Sequence, residues 1–281
     1  MHLILRLLFL AVFCVLVVLV LGYLSFQHRI AREIRDLFAK ANKEEGQVVT
    51  ADMLRGLPEP VQRYLTSSGV VGKPLVKTVR LKQTGKIRQS PRQQWMDIDA
   101  HEYYTVDPPG FIWIGRMRVA GLPAVTARDM YTNGTGNMLI KMGYVYTLGD
   151  ARGPEMDQGS MMRYLQEATW FPSAFLGQNI TWKAIDDTSA EVTFTNSGKS
   201  VTATMCFDAK GKMTNFVAQR YRTVREGYEL ETWSTPMTEY GEFEGLKLPI
   251  RGQGVWNLAS GDFAYIDVQA TDIEYDNPEP Y

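Results

Sequence analysis

From Leu7 to Leu24 the chain reads LLFLAVFCVLVVLVLGYL, eighteen residues without a charged or strongly polar side chain. As a helix rising 1.5 Å per residue, this run is about 27 Å long, close to the roughly 30 Å hydrocarbon core of a bilayer. Inside lipid every backbone N–H and C=O needs an internal partner, so a lone run of this kind has only the helix open to it. A cleaved signal peptide is the competing reading, but its apolar region is shorter, about 7–15 residues, and ends at a small-x-small site. Here the exit is Gly22-Tyr23-Leu24-Ser25-Phe26, and bulky Phe13 before Cys14 argues against a lipoprotein site. Residues 1–26 are therefore expected to form an uncleaved single-pass anchor, with residues 7–24 in the membrane. Arg29, Arg32, Arg35 and Lys40 follow the span and only Arg6 precedes it, a balance that places the domain in the cytoplasm by the positive-inside rule. A very short tail ahead of a long apolar run is instead the form of a signal-anchor, and the expected orientation is extracytoplasmic.

After the span, Ile30, Ile34, Leu37, Phe38 and Ala41 recur at helical spacing with charges between them, which predicts a stalk helix over residues 27 to 45. Short helical pieces at 51–55 and 61–67 complete a juxtamembrane helical region, 27–74. From Leu75 the period becomes two. Val79, Leu81 and Ile87 alternate with polar residues, and about a dozen such segments follow, jointed by Asp107-Pro108-Pro109-Gly110, Asp208-Ala209-Lys210-Gly211 and similar turns. The run is broken near 156–175 by a helix carrying RYLQEATWFP. The fold class expected is mainly β: a curved antiparallel meander or half-barrel over 75–281, with one inserted helix laid across its concave face.

The chemistry-bearing residues are few. Net charge is −1, which gives no field for nucleic acid, and one of the two cysteines, Cys14, lies in the span, leaving Cys206 without an intramolecular partner. His2, His28 and His101 have no metal-ligand spacing, and Gly134-Thr135-Gly136 lacks the Lys-Ser or Lys-Thr of a phosphate loop, so neither metal nor cofactor is expected. Glu167 stands four residues beyond Arg163, a spacing that most simply gives surface support on a helix. Facing a cavity, the same pair would orient a polar head group. Arg220 shares a strand face with Arg222, either in solvent or at a pocket rim. The aromatic and apolar residues Trp113, Met162, Leu165, Trp170, Phe171, Trp182, Tyr221, Trp233 and Trp256 either fill a core or line an apolar pocket with Arg163 and Arg220 as its polar handles.

The blocks LPEPVQRYL at 57–65, RYLQEATWFPSAFL at 163–176 and WKAIDDTSA at 182–190 resemble an uncharacterised, mostly bacterial membrane-anchored family, a domain of unknown function. Phe207-Asp208, Arg220-Tyr221, Trp233, Tyr240 and the block GLKLP at 245–249 belong to the same ordered set. The resemblance implies a bacterial cytoplasmic membrane and carries no activity or catalytic residue with it. At the level of fold, the meander is also similar to the half-barrels of periplasmic lipoprotein carriers, which implies a concave face suited to an acyl chain. Three readings follow: a membrane-anchored domain binding a lipid or other hydrophobic ligand, a structural or partner-binding domain with a filled core, and an enzyme built on carboxylates such as Glu167. The first is preferred, with no catalysis expected and no protein partner specified.

Overall fold

The computed structural model describes residues 2–42, 46–119 and 121–281. Residues 43–45, where the stalk helix is expected to end, lie outside this description.

Fourteen strands among the described residues form one antiparallel sheet in the order β6-β5-β4-β3-β2-β1-β14-β13-β11-β10-β9-β8-β7, with β12 paired to the far end of β13. Strands β1 (Thr78–Ile87) to β6 (Tyr146–Ala151) run as a meander through β2 (Met96–Thr105), β3 (Gly110–Val119), β4 (Leu122–Thr132) and β5 (Thr135–Met142). Strands β7 (Ile180–Asp186), β8 (Ser189–Asn196), β9 (Lys199–Phe207), β10 (Met213–Val224) and β11 (Gly227–Ser234) form a second meander. Strands β12 (Met237–Phe243), β13 (Leu246–Leu258) and β14 (Gly261–Tyr275) bring the chain back to β1, so the two meanders are joined along the β1–β14 pair. The sheet curls into a half-barrel, as the alternation and turn spacing predict.

Helix α1 (His2–Ala39) is continuous from the apolar run into the stalk. It is the one helix among the described residues long and apolar enough to cross a membrane, and that apolar window touches so little of the domain that it stays exposed. Its second half docks on the convex face. Phe26, Ile30, Ile34, Leu37 and Phe38 share one helix face and are buried against Tyr103, Ile112, Ile114 and Leu139. Arg128 on β4, fully buried beneath this helix, reaches Glu33 at 3.4 Å, and Glu33 is also held by Arg29 at 2.9 Å.

Helix α2 (Glu59–Ser68) plugs the end of the half-barrel where β1 begins, with Val61, Tyr64 and Leu65 buried. Helix α3 (Pro154–Glu167) links the two meanders, and with short 3-10 turns at Ala168–Trp170 and Pro172–Leu176 it fills the concave side. Tyr64, Tyr104, Phe111, Tyr131, Phe171, Phe175 and Phe194 are all essentially inaccessible there. A void of about 10 Å³ lies between Tyr164, Leu165, Ala168 and Ile180, room for about one water molecule. A crevice of about 170 Å³ opens near Val70, Lys73, Glu244 and Tyr275, at the plugged end.

Candidate functional site

Strand register explains how the concave face is graded from end to end. Side chains two apart on a strand share a face, so each set of paired residues is a row across the sheet. The row nearest α2 is Val79, Tyr104, Phe111 and Tyr131. The next is Leu81, Glu102, Trp113 and Asp129, and the third is Gln83, Ala100, Gly115 and Ala127. The second row places two carboxylates on either side of an indole, and the third consists mostly of residues with almost no side chain. Gly115 is required there: a Cβ would meet Trp113 Cη2 at 2.3 Å, because the indole lies back over the glycine. Trp113 Nε1 completes the arrangement by donating to Gln83 Oε1 at 2.9 Å.

Arg163, on α3, rests over this indole. Its Cζ is 4.9 Å from the Trp113 ring centre and 5.0 Å from that of Phe111. Its nitrogens donate to three carboxylates: Nη2 to Glu102 at 2.8 Å, Nη1 to Asp129 at 2.9 Å and Nε to Glu167 at 2.7 Å. The Arg163–Glu167 pair is thus not the surface support its spacing suggests. The Glu102 side chain is fully buried and that of Arg163 keeps 15% of its surface.

One guanidinium facing three carboxylates leaves excess negative charge in a dry place, and protons correct it. Burial pushes Glu102 well above the usual carboxylate range; Arg163 opposes this and the neighbouring Glu167 adds to it. Glu167 is raised for the same first reason, with Arg163 and Tyr104 pulling the other way. Tyr104 donates to Glu167 Oε2 at 3.1 Å, and burial followed by the charges of Glu102 and Glu167 keeps its phenol protonated. Burial would depress Arg163, but Glu102, Glu167 and Asp129 outweigh it and hold the guanidinium charged. Glu102 Oε2 has no hydrogen-bond partner, so burial and the neighbouring Glu167 both favour the protonated form of Glu102.

A second arginine stands at the opposite, open end of the concave face. Arg220 on β10 has its Cζ 4.6 Å from the Trp233 ring centre and 5.9 Å from that of Trp256. Nε donates to the carbonyl of Gly159 on α3 at 3.2 Å, and Nη1 to the Tyr265 hydroxyl at 3.2 Å. Tyr265 also receives the Trp233 indole N–H at 3.3 Å and stacks on Trp256 at 5.8 Å. Among the described residues no carboxylate lies within ion-pair distance of Arg220. Its cross-strand neighbour Glu231 sits instead 3.8 Å from Arg222, which also holds Glu229 at 3.0 Å. Arg220 and Tyr265 are half-buried, as are the apolar residues Val268, on the same strand as Tyr265, and Ile87, on the neighbouring β1.

The residues singled out in the sequence thus separate into groups. Trp113 and Arg163 meet in the acidic cluster, and Arg220, Trp233 and Trp256 meet at the mouth. Met162, Leu165 and Phe171 are buried in the filled interior. Trp170 is pinned by a 2.9 Å bond to the Pro249 carbonyl, and Trp182 by a 3.2 Å bond to that of Phe175. Tyr221 points to the other face of β10 and is 37% exposed. Glu102, Asp129 and Gly115 were not anticipated, whereas Tyr104 and Tyr265 belong to the aromatic set expected to fill a core or line a pocket. The available signal was parity: Glu102 shares a strand face with Ala100 and Tyr104, and Asp129 with Ala127 and Tyr131, so both acids sit at core-facing positions. His101 lies on β2 with its ring 5.0 Å from that of Tyr281, and Cys206 is half-buried on β9 with its thiol raised by burial.

A family model described as "Family of unknown function (DUF6544)" matches residues 47–268. No curated protein matches the sequence. Among solved structures, the chain is similar to a Vibrio parahaemolyticus domain described as outer membrane lipoprotein-sorting, at 8% identity and a TM-score of 0.43, covering 84% of this chain and 94% of that one. It is also similar to a LolA superfamily protein from Nitrosomonas europaea, at 10% identity and a TM-score of 0.42, covering 80% and 93%. Both likenesses are of chain trace.

Proposed function

Because the chain belongs to this family of unknown function, its activity has to be read from its own residues, and we propose that it is a membrane-anchored module that holds an anionic amphiphile at the open mouth of the half-barrel. Arg220 takes the head group, and half-buried apolar side chains on β1 and β14, Ile87 and Val268, take the hydrocarbon. One observation carries this reading: Arg220 is half-buried, flanked by two indoles, and has no carboxylate partner among the described residues. A guanidinium removed from water is costly unless its charge is answered, and an incoming phosphate or carboxylate answers it with charge-assisted hydrogen bonds. The indole faces favour the cation.

The test is a titration of the full-length protein in nanodiscs with phosphatidylglycerol carrying an acyl-chain fluorophore. Saturable binding that drops at least tenfold in Arg220→Ala, and that a zwitterionic phosphatidylcholine probe does not reproduce, is the expected result. Equal affinity of wild type and Arg220→Ala, or equal affinity for the two lipids, overturns it.

The second reading, a partner-binding domain with a filled core, is favoured by the interior beneath α3. The 170 Å³ crevice is small beside the roughly 300–1,000 Å³ of ordinary ligand pockets. On that reading gently purified protein carries no lipid in native mass spectrometry and a membrane or envelope protein accompanies it. On the amphiphile reading a stoichiometric lipid is released.

A further inference from the structure

The turn between β5 and β6 presents apolar side chains to solvent where a soluble hairpin would present polar ones. Met142 is 48% exposed, Val145 41%, Tyr146 64% and Leu148 50%. Apart from the apolar run of α1, no other short segment among the described residues gathers as many exposed large apolar side chains. Single exposed apolar residues need no explanation, but a contiguous set marks a contact surface.

This hairpin touches the apolar helix itself. A Cβ at Gly22 would meet Val145 Cγ2 at 2.6 Å, so the glycine is what lets the turn cross so closely. A Cβ at Gly143 would lie 3.3 Å from Leu19 Cδ2. Tyr144 packs edge-on to Tyr23 at 5.1 Å and against Phe26 at 5.8 Å. The contacts fall on residues 19–26 of α1, the last turns of the apolar run. Leu19 is five residues before its end at Leu24, about 7 Å along the axis, which matches the roughly 5–10 Å depth of interfacial segments. Tyr23, Tyr144 and Tyr146 fall at the level where tyrosine is favoured in membranes, and the charges of Arg29 and Arg32 begin just beyond.

We propose that the β5–β6 hairpin is a second membrane contact, its tip of Met142, Val145, Tyr146 and Leu148 lying in the lipid interface beside α1. The proposal rests on α1 being the anchor, and it adds how the domain is set against the bilayer. Leu37 of α1 lies against Gly110 at the β2–β3 turn, whereas Gly22 lies against Val145 at the β5–β6 turn. In an antiparallel meander these turns are at opposite ends of the sheet, so α1 runs along the strands from the open end to the plugged end. The open mouth with Arg220 consequently faces the membrane, and α2 is at the distal pole.

The experiment uses the full chain with Cys14→Ser and Cys206→Ser, single cysteines labelled with an environment-sensitive fluorophore, and phosphatidylcholine nanodiscs containing a doxyl-lipid quencher. Labels go at Tyr146→Cys and, as a second reading of the same loop, Leu148→Cys. Val15→Cys reports the span, and Asp187→Cys, beside Arg63 of α2, reports the distal pole. The expected result is strong quenching at 15, quenching at 146 and 148 several-fold above that at 187, and blue-shifted emission at both hairpin sites. Quenching at 15 with 146 and 148 no different from 187 overturns the hairpin contact while leaving the anchor intact. Absence of quenching at 15 overturns the anchor, and the hairpin proposal with it. Hairpin labels shielded from aqueous iodide yet unquenched by lipid also overturn it, assigning the patch to a protein.

Discussion

Arg163 and Arg220 are the two polar handles of the concave face, and each lies against indole rings beside the same helix. They differ in what answers their charge. Arg163 is met by Glu102, Asp129 and Glu167, all but buried, so the cluster holds more negative charge than positive. Arg220 is met by a backbone carbonyl, a phenol and two indoles, so its site holds more positive. A closed, over-compensated cation ties α3 to β2 and β4; an open, under-compensated one has bonding capacity left for something else. The same residue type on the same face is thus charge-matched by carboxylates in one place and left without one in the other, which is what the proposed function uses.

The comparison breaks most visibly at Arg163. Arg163→Met strands buried carboxylates without a counter-charge, and is expected to lower stability by about 3–5 kcal/mol in denaturant titration. If the loss is below about 1 kcal/mol, the cluster is not what ties helix to sheet. Next in size is Gly115→Ala. Its methyl collides with Trp113, displaces the seat of Arg163, and is expected to cost about 1–3 kcal/mol by the same measurement.

A pH series sharpens the electrostatic half. The folded-state pKa of Glu102 is raised above its unfolded value, so folding takes up a proton in the interval between the two. The stabilisation is complete below the unfolded value near 4.5 and is lost as pH rises through the folded one. Within that interval the proton contributes a fall in stability of up to about 1.4 kcal/mol per pH unit. Glu102→Gln, which carries the hydrogen permanently, is expected to flatten that slope and to be more stable than wild type at the alkaline end. An unchanged slope places the proton elsewhere. Smallest in stability is Arg220→Ala, expected within about 1 kcal/mol of wild type because no buried charge is left unpaired; its effect falls on amphiphile binding. A loss as large as that of Arg163→Met would make the two arginines alike and remove the contrast.

Much of the architecture was legible because it depends on local pattern. Period-two alternation marked the strands, and turns such as Asp208-Ala209-Lys210-Gly211 marked the joints. Strand β12 was missed: Thr238, Glu239, Gly241 and Glu242 dilute its alternation, and it pairs only with β13. The site was harder to read because it is non-local. Arg163 and Glu167 are four apart on a helix, a spacing equally common in solvent, and nothing nearby in sequence tells which elements they face. Glu102 and Asp129 arrive from strands about 60 and 34 residues away. Arg220 was recognised as a rim or surface charge, but its lack of a carboxylate emerged only when Glu231 was found turned toward Arg222.

Helix α1 has no joint. One unbroken helix of 38 residues, about 57 Å, runs from the apolar run to the dock on β2 and β3. A domain on a loose tether sweeps a hemisphere and can ferry what it holds; one welded to a stiff rod keeps a single altitude. On the proposed function, with α1 as the anchor, such a rod would hold the domain at a fixed height. Were it to hold an amphiphile as proposed, that cargo would have to be delivered and removed at that one height, the place of a quay rather than a boat.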